Sequence, residues 1–148
     1  MKSNKPILLV EDNPSDADLT KRALARGHIS NELVIAEDGQ EALDYLRGEG
    51  SYAGRAVADT PSVILLDLKL PKVSGLEVLR AVRADARLRR IPVVILTSSK
   101  EEEDVGAGYD LGVNSYVRKP IDFKEFQIAI ANLGLYWLIL NEPNPPVK

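Results

Sequence analysis

Near its amino end the chain reads Ile7-Leu8-Leu9-Val10-Glu11-Asp12, four apolar residues that run directly into two acids. A second stretch, Val63-Ile64-Leu65-Leu66-Asp67, has the same form. Short runs of branched apolar residues that stop abruptly at acids are typical of buried strands in a parallel sheet. In open α/β sheets, ligand sites lie beyond the carboxyl ends of such strands. We therefore expect Glu11, Asp12 and Asp67 to meet at one edge of a sheet.

A cluster made only of carboxylates is suited to Mg²⁺, because like-charged carboxylates repel one another until a proton or a cation intervenes. Two further strand-like runs, residues 93–96 and 116–118, are followed by Thr97 and by Lys119. The same edge therefore gains a hydroxyl group and an ammonium group beside the acids. This set of groups predicts the placement of a phosphoryl group on a carboxylate.

Length and composition exclude several other classes of protein. The 148 residues are the size of one ordinary domain. The 19 basic and 22 acidic residues show no basic excess that would favour nucleic acid as a partner, and the absence of cysteine excludes disulfides and thiol chemistry. The amino end precedes only four apolar residues, too few for a signal-peptide core, and no apolar stretch reaches the length of a membrane span. We expect a cytoplasmic protein with no DNA or membrane partner.

Helix signals separate the strand-like runs. Asn13 can cap a first helix with Pro14 at its first position, and Asp38 with Glu41 forms an acidic variant of the capping box before a second helix. Gly75 opens a third helix, and residues 47–61 form a long surface loop without clear periodicity. Regular alternation of strand and helix predicts a parallel sheet with right-handed crossovers and helices on both faces.

The last helix is more apolar than its position requires. Of residues 133–140, only Gly134 lacks apolar bulk, and Pro143, Pro145 and Pro146 then make an extended tail. A helix that covers one edge of a sheet needs only an apolar stripe, so the surplus apolar surface predicts a protein partner. A symmetric pair is the commonest closed assembly, and we expect a homodimer through this region.

With these residues in view, the chain resembles the receiver domain of two-component response regulators over almost its whole length. The matching motifs, in order, are Glu11-Asp12, Asp67, Leu70-Pro71 with Gly75, Thr97-Ser98 and Lys119-Pro120. Two further features are the long loop before the third strand and the ending Tyr136-Trp137-Leu138 followed by Asn141-Glu142-Pro143. Both features are similar to those of single-domain response regulators associated with phytochrome-type histidine kinases.

The resemblance implies an α/β fold of the flavodoxin-like receiver type. It has a doubly wound, five-stranded parallel sheet in the order 2-1-3-4-5, and here an extended C-terminal helix. Residues 1–148 would form a single receiver domain with no effector domain. Its core would span about residues 5–132, and the helix extension and Pro-rich tail about residues 133–148.

The resemblance also implies that Asp67 accepts a phosphoryl group from a phosphohistidine of a histidine kinase. Asp12 and Asp67 would bind Mg²⁺ directly, Glu11 through water, and Lys69 through its backbone carbonyl. The protein would then signal by protein–protein contact. It would not be an enzyme, apart from catalysing its own phosphorylation and dephosphorylation.

The remaining site residues take their roles from the same resemblance. Thr97 and Lys119 would hold two oxygens of the phosphoryl group. Thr97 would move toward the added charge, and Tyr116 would swing inward behind it as the second part of the switch. The peptide bond between Lys119 and Pro120 would be cis.

Other interpretations remain for these residues. An aspartyl-nucleophile phosphohydrolase would usually carry an acid two residues after the nucleophile, where this chain has Lys69, and would have a cap domain. A flavodoxin-like electron carrier would need a glycine- and hydroxyl-rich first loop, whereas residues 11–14 are acidic. A receiver-like binding module that takes no phosphate is a third alternative. Taken singly, Thr97 reads equally as a helix cap, Lys119 as a surface lysine and Tyr116 as a sheet-edge aromatic.

Overall fold

The structure, a computed structural model, describes residues 5–26, 31–56, 59–68, 70–97, 112, 115–118, 124, 128 and 132. Of residues 97 and 115–118 it describes the backbone alone. Strands and helices alternate from residue 7 to residue 97. The elements are β1 (Ile7–Val10), α1 (Pro14–Arg26), β2 (Leu33–Ala36), α2 (Gly39–Arg47), β3 (Val63–Leu66), α3 (Gly75–Ala84), β4 (Val93–Thr97) and β5 (Ser115–Arg118).

The strands form one parallel sheet in the order β2-β1-β3-β4-β5. Every residue of β1 and β3 is buried, as expected for inner strands with packing on both faces. The register places Val10 opposite Leu66, and Leu66 opposite Ile95. The predicted parallel sheet with helices is confirmed. The residues that follow β1, β3 and β4 therefore lie at the carboxyl edge of the sheet.

Two apolar cores lie against the sheet, one on each face. Successive residues of a strand belong alternately to one core and to the other. Leu8 and Val10 pack in the core that contains the apolar faces of α2 and α3, whereas Ile7 and Leu9 pack in the core that contains α1. Because successive strand residues point to opposite faces, the helices cover both sides of the sheet. Burying one Leu or Ile side chain contributes roughly 1.5–3 kcal/mol, so the central strands are firmly held.

The helix starts follow the predicted capping chemistry. The Asn13 side-chain oxygen accepts hydrogen bonds from two backbone N–H groups in the first turn of α1, at 2.9 and 3.2 Å. Asp38 caps α2 by accepting from the Glu41 N–H at 2.7 Å. The Glu41 carboxylate reaches back to the N–H of Glu37 at 3.1 Å, one residue before the position a capping box uses.

The segment between α2 and β3 contains a short 3₁₀ turn, Gly50–Tyr52, which the sequence pattern had not indicated. The Tyr52 hydroxyl donates to Glu41 at 3.1 Å, and its ring packs edge-on against Tyr45 with 5.2 Å between centroids. The Arg55 guanidinium lies 4.0 Å from the centre of the Tyr45 ring. These contacts hold much of the long loop against α2.

Near the carboxyl end, Lys124, Ile128 and Asn132 are helical and exposed. Residues at this spacing share one helix face. The apolar region 133–140 and the proline-rich tail, on which the homodimer prediction rests, lie outside the described residues. Among the helices that the structure describes, none is both long and apolar enough to cross a bilayer.

Candidate functional site

Three carboxylates meet at the carboxyl edge of the sheet. Glu11 and Asp12 follow β1, and Asp67 follows β3, whose last residue lies opposite the last residue of β1. Each of the three offers an oxygen within 4.8 Å of the other two. Glu11 is 3 % exposed and Asp67 is 9 % exposed, whereas Asp12 is exposed. The acids that the sequence predicted to converge therefore do so.

Backbone hydrogen bonds fix where these acids stand. The Glu11 N–H donates to the carbonyl of Ala36 at 2.9 Å, and the Asp67 N–H donates to the carbonyl of Val10 at 3.1 Å. A Glu11 carboxylate oxygen accepts from the N–H of Asn13 at 3.4 Å, a long contact. The sheet thus holds Glu11 and Asp67 as direct continuations of its ladder, so their positions depend little on loop conformation.

The electrostatics of this arrangement favour a cation. Three carboxylates within 4.8 Å repel one another when all are ionised, and two of them are largely removed from water. Hard divalent cations prefer oxygen ligands, and Mg²⁺ is commonly bound through one or two carboxylates with water completing its shell. The donor set therefore fits Mg²⁺ or Mn²⁺, and it contains no sulfur or imidazole ligand that would favour a softer metal.

A cleft of about 250 Å³ with a mixed polar and apolar lining opens from the acids toward α1 and β2. Its lining combines Glu11 and Asp12 with Asp18 and Lys21 of α1, and with Glu37 beyond β2. Acidic groups dominate this wall. An anionic ligand that approached from this side would therefore meet repulsion, which a bound cation would offset.

The loop between β3 and α3 is anchored by close backbone contacts. The N–H of Gly75 donates to the carbonyl of Leu68 at 2.9 Å. Lys72 has a φ of 65°, a left-handed conformation that is uncommon outside glycine. Its ammonium lies 3.5 Å from the second carboxylate oxygen of Asp38, the residue that caps α2. Sequence analysis identified Asp38 as a cap and missed its pairing with Lys72.

Gly39, the first residue of α2, explains why the two loops can approach so closely. A Cβ at this position would lie 2.0 Å from the carbonyl oxygen of Val73. A side chain there would push the β3–α3 loop away. The Asp38-Gly39 pair in the sequence is therefore a packing signal as well as a capping signal, and it could have indicated this contact.

The other predicted site residues divide into two groups. Thr97 is the last residue of β4, which neighbours β3, and Tyr116 lies in β5 opposite Ile95. The backbone register thus brings the ends of β3, β4 and β5 to one edge. The side chains of Thr97 and Tyr116 are not described, and Lys69 and the Lys119–Pro120 peptide lie outside the described residues.

Residues 7–131 match the family described as "Response regulator receiver domain". The chain belongs to this family. The match spans the whole sheet and all three acids of the cluster. The chain therefore has the receiver fold and is a response regulator of two-component signalling.

Among individual relatives, the response regulator Rcp1 of Synechocystis sp. is 41 % identical over 138 residues, which is 92 % of each chain. The crystal structure of the Mn²⁺-bound form of Rcp1 aligns over 95 % of this receiver and 99 % of that chain, with 39 % identity and a TM-score of 0.87.

Two further solved structures are those of phytochrome response regulators. The phosphorylated cyanobacterial phytochrome response regulator RcpA shares 40 % identity over 97 % of this receiver and 100 % of that chain, with a TM-score of 0.89. The bacteriophytochrome response regulator RtBRR shares 58 % identity over 97 % of this receiver and 86 % of that chain, with a TM-score of 0.77. The resemblance to phytochrome-associated response regulators is therefore confirmed.

Proposed function

We propose that this receiver is phosphorylated on Asp67 by a histidine kinase in a Mg²⁺-dependent reaction. The observation that carries the proposal is the convergence of Glu11, Asp12 and Asp67 within 4.8 Å at the carboxyl edge of the sheet. Asp67 is the member of the cluster that follows the central strand β3 and is still partly accessible at 9 %. The description of RcpA as a phosphorylated form supports the same chemistry here.

In the proposed step, a carboxylate oxygen of Asp67 attacks the phosphorus of the kinase phosphohistidine. A new P–O bond forms as the P–N bond breaks, and the histidine nitrogen keeps the bonding electrons and takes up a proton. Little covalent help is needed from the protein, because alignment and charge stabilisation dominate phosphoryl transfer. Asp67 is held for attack by its backbone hydrogen bond to Val10.

The metal would be held by Asp12 and Asp67 directly, by Glu11 through water, and by the backbone carbonyl of Lys69. A bound Mg²⁺ neutralises carboxylate charge and stabilises the charge that develops on the phosphoryl oxygens. The Mn²⁺-bound form of Rcp1 supports a divalent cation at this site. Glu11 and Asp67 contribute buried negative charge that a monovalent ion would offset less well.

Thr97 and Lys119 supply the hydroxyl and ammonium donors for the phosphoryl oxygens in this proposal. Their support is the strand register, in which β4 and β5 end beside β3 and Lys119 directly follows the last residue of β5. Tyr116, in β5, would complete the switch with Thr97. A cis bond before Pro120 would direct Lys119 toward Asp67.

A phytochrome-type histidine kinase is the proposed phosphoryl donor. Its support is the 58 % identity to RtBRR and the 40 % identity to RcpA, both described as phytochrome response regulators. The net charge of −3 gives no basis for DNA as a partner, so the output would pass through protein contact. Catalysis would be confined to the receiver's own phosphorylation and dephosphorylation, in the cytoplasm.

A homodimer through the C-terminal helix completes the proposal. Ile128 is 54 % exposed and is the exposed large hydrophobic side chain within the described residues. It lies just before the apolar region 133–140, where seven of eight residues have apolar bulk. Burying such a surface contributes roughly 25 cal/mol per Å² before the cost of association.

Mass spectrometry after incubation with acetyl phosphate and Mg²⁺ tests the central claim. The wild-type protein should gain about 80 Da, the mass of one phosphoryl group, and Asp67→Asn should gain nothing while its circular dichroism is unchanged. Asp18→Asn, in the neighbouring acidic cleft, is the matched control and should be labelled normally. Labelling of Asp67→Asn would show that the acceptor lies elsewhere.

A further inference from the structure

Arg83, in the last turn of α3, donates hydrogen bonds to three backbone carbonyls in two separate segments of the chain. Its Nε and Nη2 donate to the carbonyl of Gly112 at 3.0 and 2.9 Å. Its Nη1 donates to the carbonyls of Arg89 at 3.0 Å and of Ile91 at 2.8 Å. Gly112 is 29 residues away in the sequence, so this contact exists only in the folded protein.

The bonded carbonyls lie where the chain is about to enter two neighbouring strands. Ile91 is two residues before β4, which begins at Val93, and Gly112 is three residues before β5, which begins at Ser115. One guanidinium group therefore joins the segments that lead into β4 and β5. The far ends of these two strands carry Thr97 and lead to Lys119.

The chemistry of the contact requires arginine. A guanidinium presents its N–H groups in a rigid planar fork, whereas a lysine offers three donors around one atom. Gly112 has a φ of 83°, and a Cβ built on it would lie 3.4 Å from Arg83 Nε. Burial lowers the pKa of Arg83, because the guanidinium is partly removed from water.

The contact between Arg83 and Gly112 matters for the position of β5, because β5 is the last strand in the sheet order. It has a hydrogen-bonded neighbour on one side, β4. The inner strand β3 is bonded on both sides and carries Asp67 at its end. Loss of the contact at Gly112 would therefore loosen β5 and leave the acid cluster in place.

We propose that Arg83 is a positioning residue for phosphoryl transfer, which fixes β5 against β4 and thereby sets Lys119 and Thr97 relative to Asp67. The inference rests on the proposed function. Small displacements matter for such a role, since a misplacement of about 1 Å by a remote substitution can slow a reaction about a hundredfold. Arg83 itself touches neither phosphate nor metal in this proposal.

The experiment compares Arg83→Lys with Arg87→Lys in the full-length protein. Arg87 lies four residues on, is exposed and pairs with Asp85 at 3.0 Å, so its substitution is a matched control. Three quantities are measured: the rate of labelling by acetyl phosphate at saturating Mg²⁺, the Mg²⁺ dissociation constant, and amide hydrogen exchange in β5 and β1.

For Arg83→Lys we expect labelling about tenfold slower, a Mg²⁺ affinity within about twofold of wild type, and faster exchange in β5 with β1 unchanged. Arg87→Lys should match wild type throughout. Gly112→Ala, which strains the backbone at a φ of 83° beside the carbonyl that Arg83 binds, should reproduce the slow labelling. A purely stabilising role would lower the melting temperature without this division between labelling rate and metal affinity.

The outcomes separate the two proposals. If wild type is labelled and Arg83→Lys is labelled equally fast while fully folded, the positioning role is overturned and the proposed function stands. An equal loss of Mg²⁺ affinity and labelling rate in Arg83→Lys would also overturn it, because the acid cluster would then have moved. If wild type takes no label at Asp67, the proposed function fails and the positioning role fails with it.

Discussion

The start of α3 lies directly against the backbone of the proposed phosphoacceptor. A Cβ added to Gly75 would be 2.1 Å from the carbonyl oxygen of Asp67 and 2.6 Å from the Cα of Leu68. Both distances are far below van der Waals contact. Gly75 therefore allows α3 to begin immediately behind Asp67, and its N–H closes the loop by donating to the carbonyl of Leu68 at 2.9 Å.

Gly75→Ala should destabilise the receiver and slow its phosphorylation. Overpacking of this kind typically costs about 1–3 kcal/mol, more than the gain of up to about 1 kcal/mol that alanine brings to a helix. Because the obstructing atoms are backbone atoms of Asp67 and Leu68, relief of the clash must move the acceptor. Urea unfolding measures the stability, and acetyl phosphate labelling measures the rate.

Gly54→Ala is the control for this substitution. No atom lies within 4 Å of the added Cβ, and the φ of 97° means that the cost comes from backbone strain alone. We expect a loss of stability of about 1–2 kcal/mol with an unchanged labelling rate. A normal labelling rate in Gly75→Ala would show that the approach of α3 does not constrain Asp67.

Millimolar Mg²⁺ should raise the melting temperature of the wild-type protein. A ligand that binds only the folded state adds RT ln(1 + [L]/Kd), about 2.7 kcal/mol at a hundredfold excess over Kd. Asp12→Ala should abolish the rise, because it removes one of the three converging carboxylates. Asp12 is exposed, so this substitution leaves the apolar cores intact.

Asp18→Ala provides the comparison for Asp12→Ala. Asp18 lines the same cleft but is not part of the acid cluster, and it pairs with Arg22 at 2.9 Å on the surface of α1. Differential scanning calorimetry with and without Mg²⁺ should show the full rise in this variant. An equal rise in Asp12→Ala would place the metal elsewhere.

Tyr52→Phe should destabilise the receiver by about 1 kcal/mol at neutral pH, the usual net value of one hydrogen bond. The lost bond is the one from the Tyr52 hydroxyl to Glu41 at 3.1 Å, while the ring packing against Tyr45 is retained. Urea unfolding of the two proteins measures the difference. An unchanged stability would show that water replaces Glu41 without loss.

Tyr52 also makes the stability of the folded protein depend on pH, and the direction of this dependence follows from the surroundings of its hydroxyl group. Burial, and then the hydrogen bond to Glu41, raise the pKa of Tyr52 in the folded state. The unfolded value is about 10, so this contribution to stability is fully present below about pH 10 and is lost as the pH rises through the folded-state pKa. Ultraviolet titration of wild type against Tyr52→Phe isolates the transition, and a Tyr52 that ionises at or below pH 10 would contradict it.

Ile128→Arg should weaken the proposed dimer. Its side chain is 54 % exposed, and a charge placed within an apolar interface would be desolvated without a partner. Light scattering at tens of micromolar, roughly the range in which weak association is visible, should find wild type dimeric and this variant shifted toward monomer. Ala84→Arg, at the exposed end of α3, adds the same charge outside residues 124–140 and is the control. A monomeric wild type would reject the dimer.

Much of the fold follows from residues close together in the sequence. The branched run before Glu11 makes a strand because its side chains suit a buried pleated surface, and Asp38 starts α2 because its carboxylate accepts from the Glu41 N–H three residues on. The convergence of Glu11, Asp12 and Asp67 was predictable for a related reason. Parallel strands place their carboxyl ends on one edge, whatever the details of the loops.

Other contacts have no local signature. The pairing of Lys72 with Asp38 joins two loops that follow different strands, and the hydrogen bonds from Arg83 to Gly112 join the end of α3 to the segment that precedes β5. The sequence pattern predicts that Asp38 is a cap and that Gly75 starts α3, but it predicts no role for Lys72, Arg83 or Gly112. Nothing in the spacing of these residues distinguishes them from solvated surface residues.

Which segments become strands and helices, and which acids share an edge, could be predicted from the chain alone, because these depend on side-chain periodicity and on strand direction. How closely helices and loops pack against the ends of the strands depends on the whole fold. The Gly75–Asp67 contact and the Arg83–Gly112 bonds depend on the distances between packed elements. Those distances arise from the twist of the sheet and the fit of helices onto its two cores, which involve every element at once and are recorded in no single stretch of sequence.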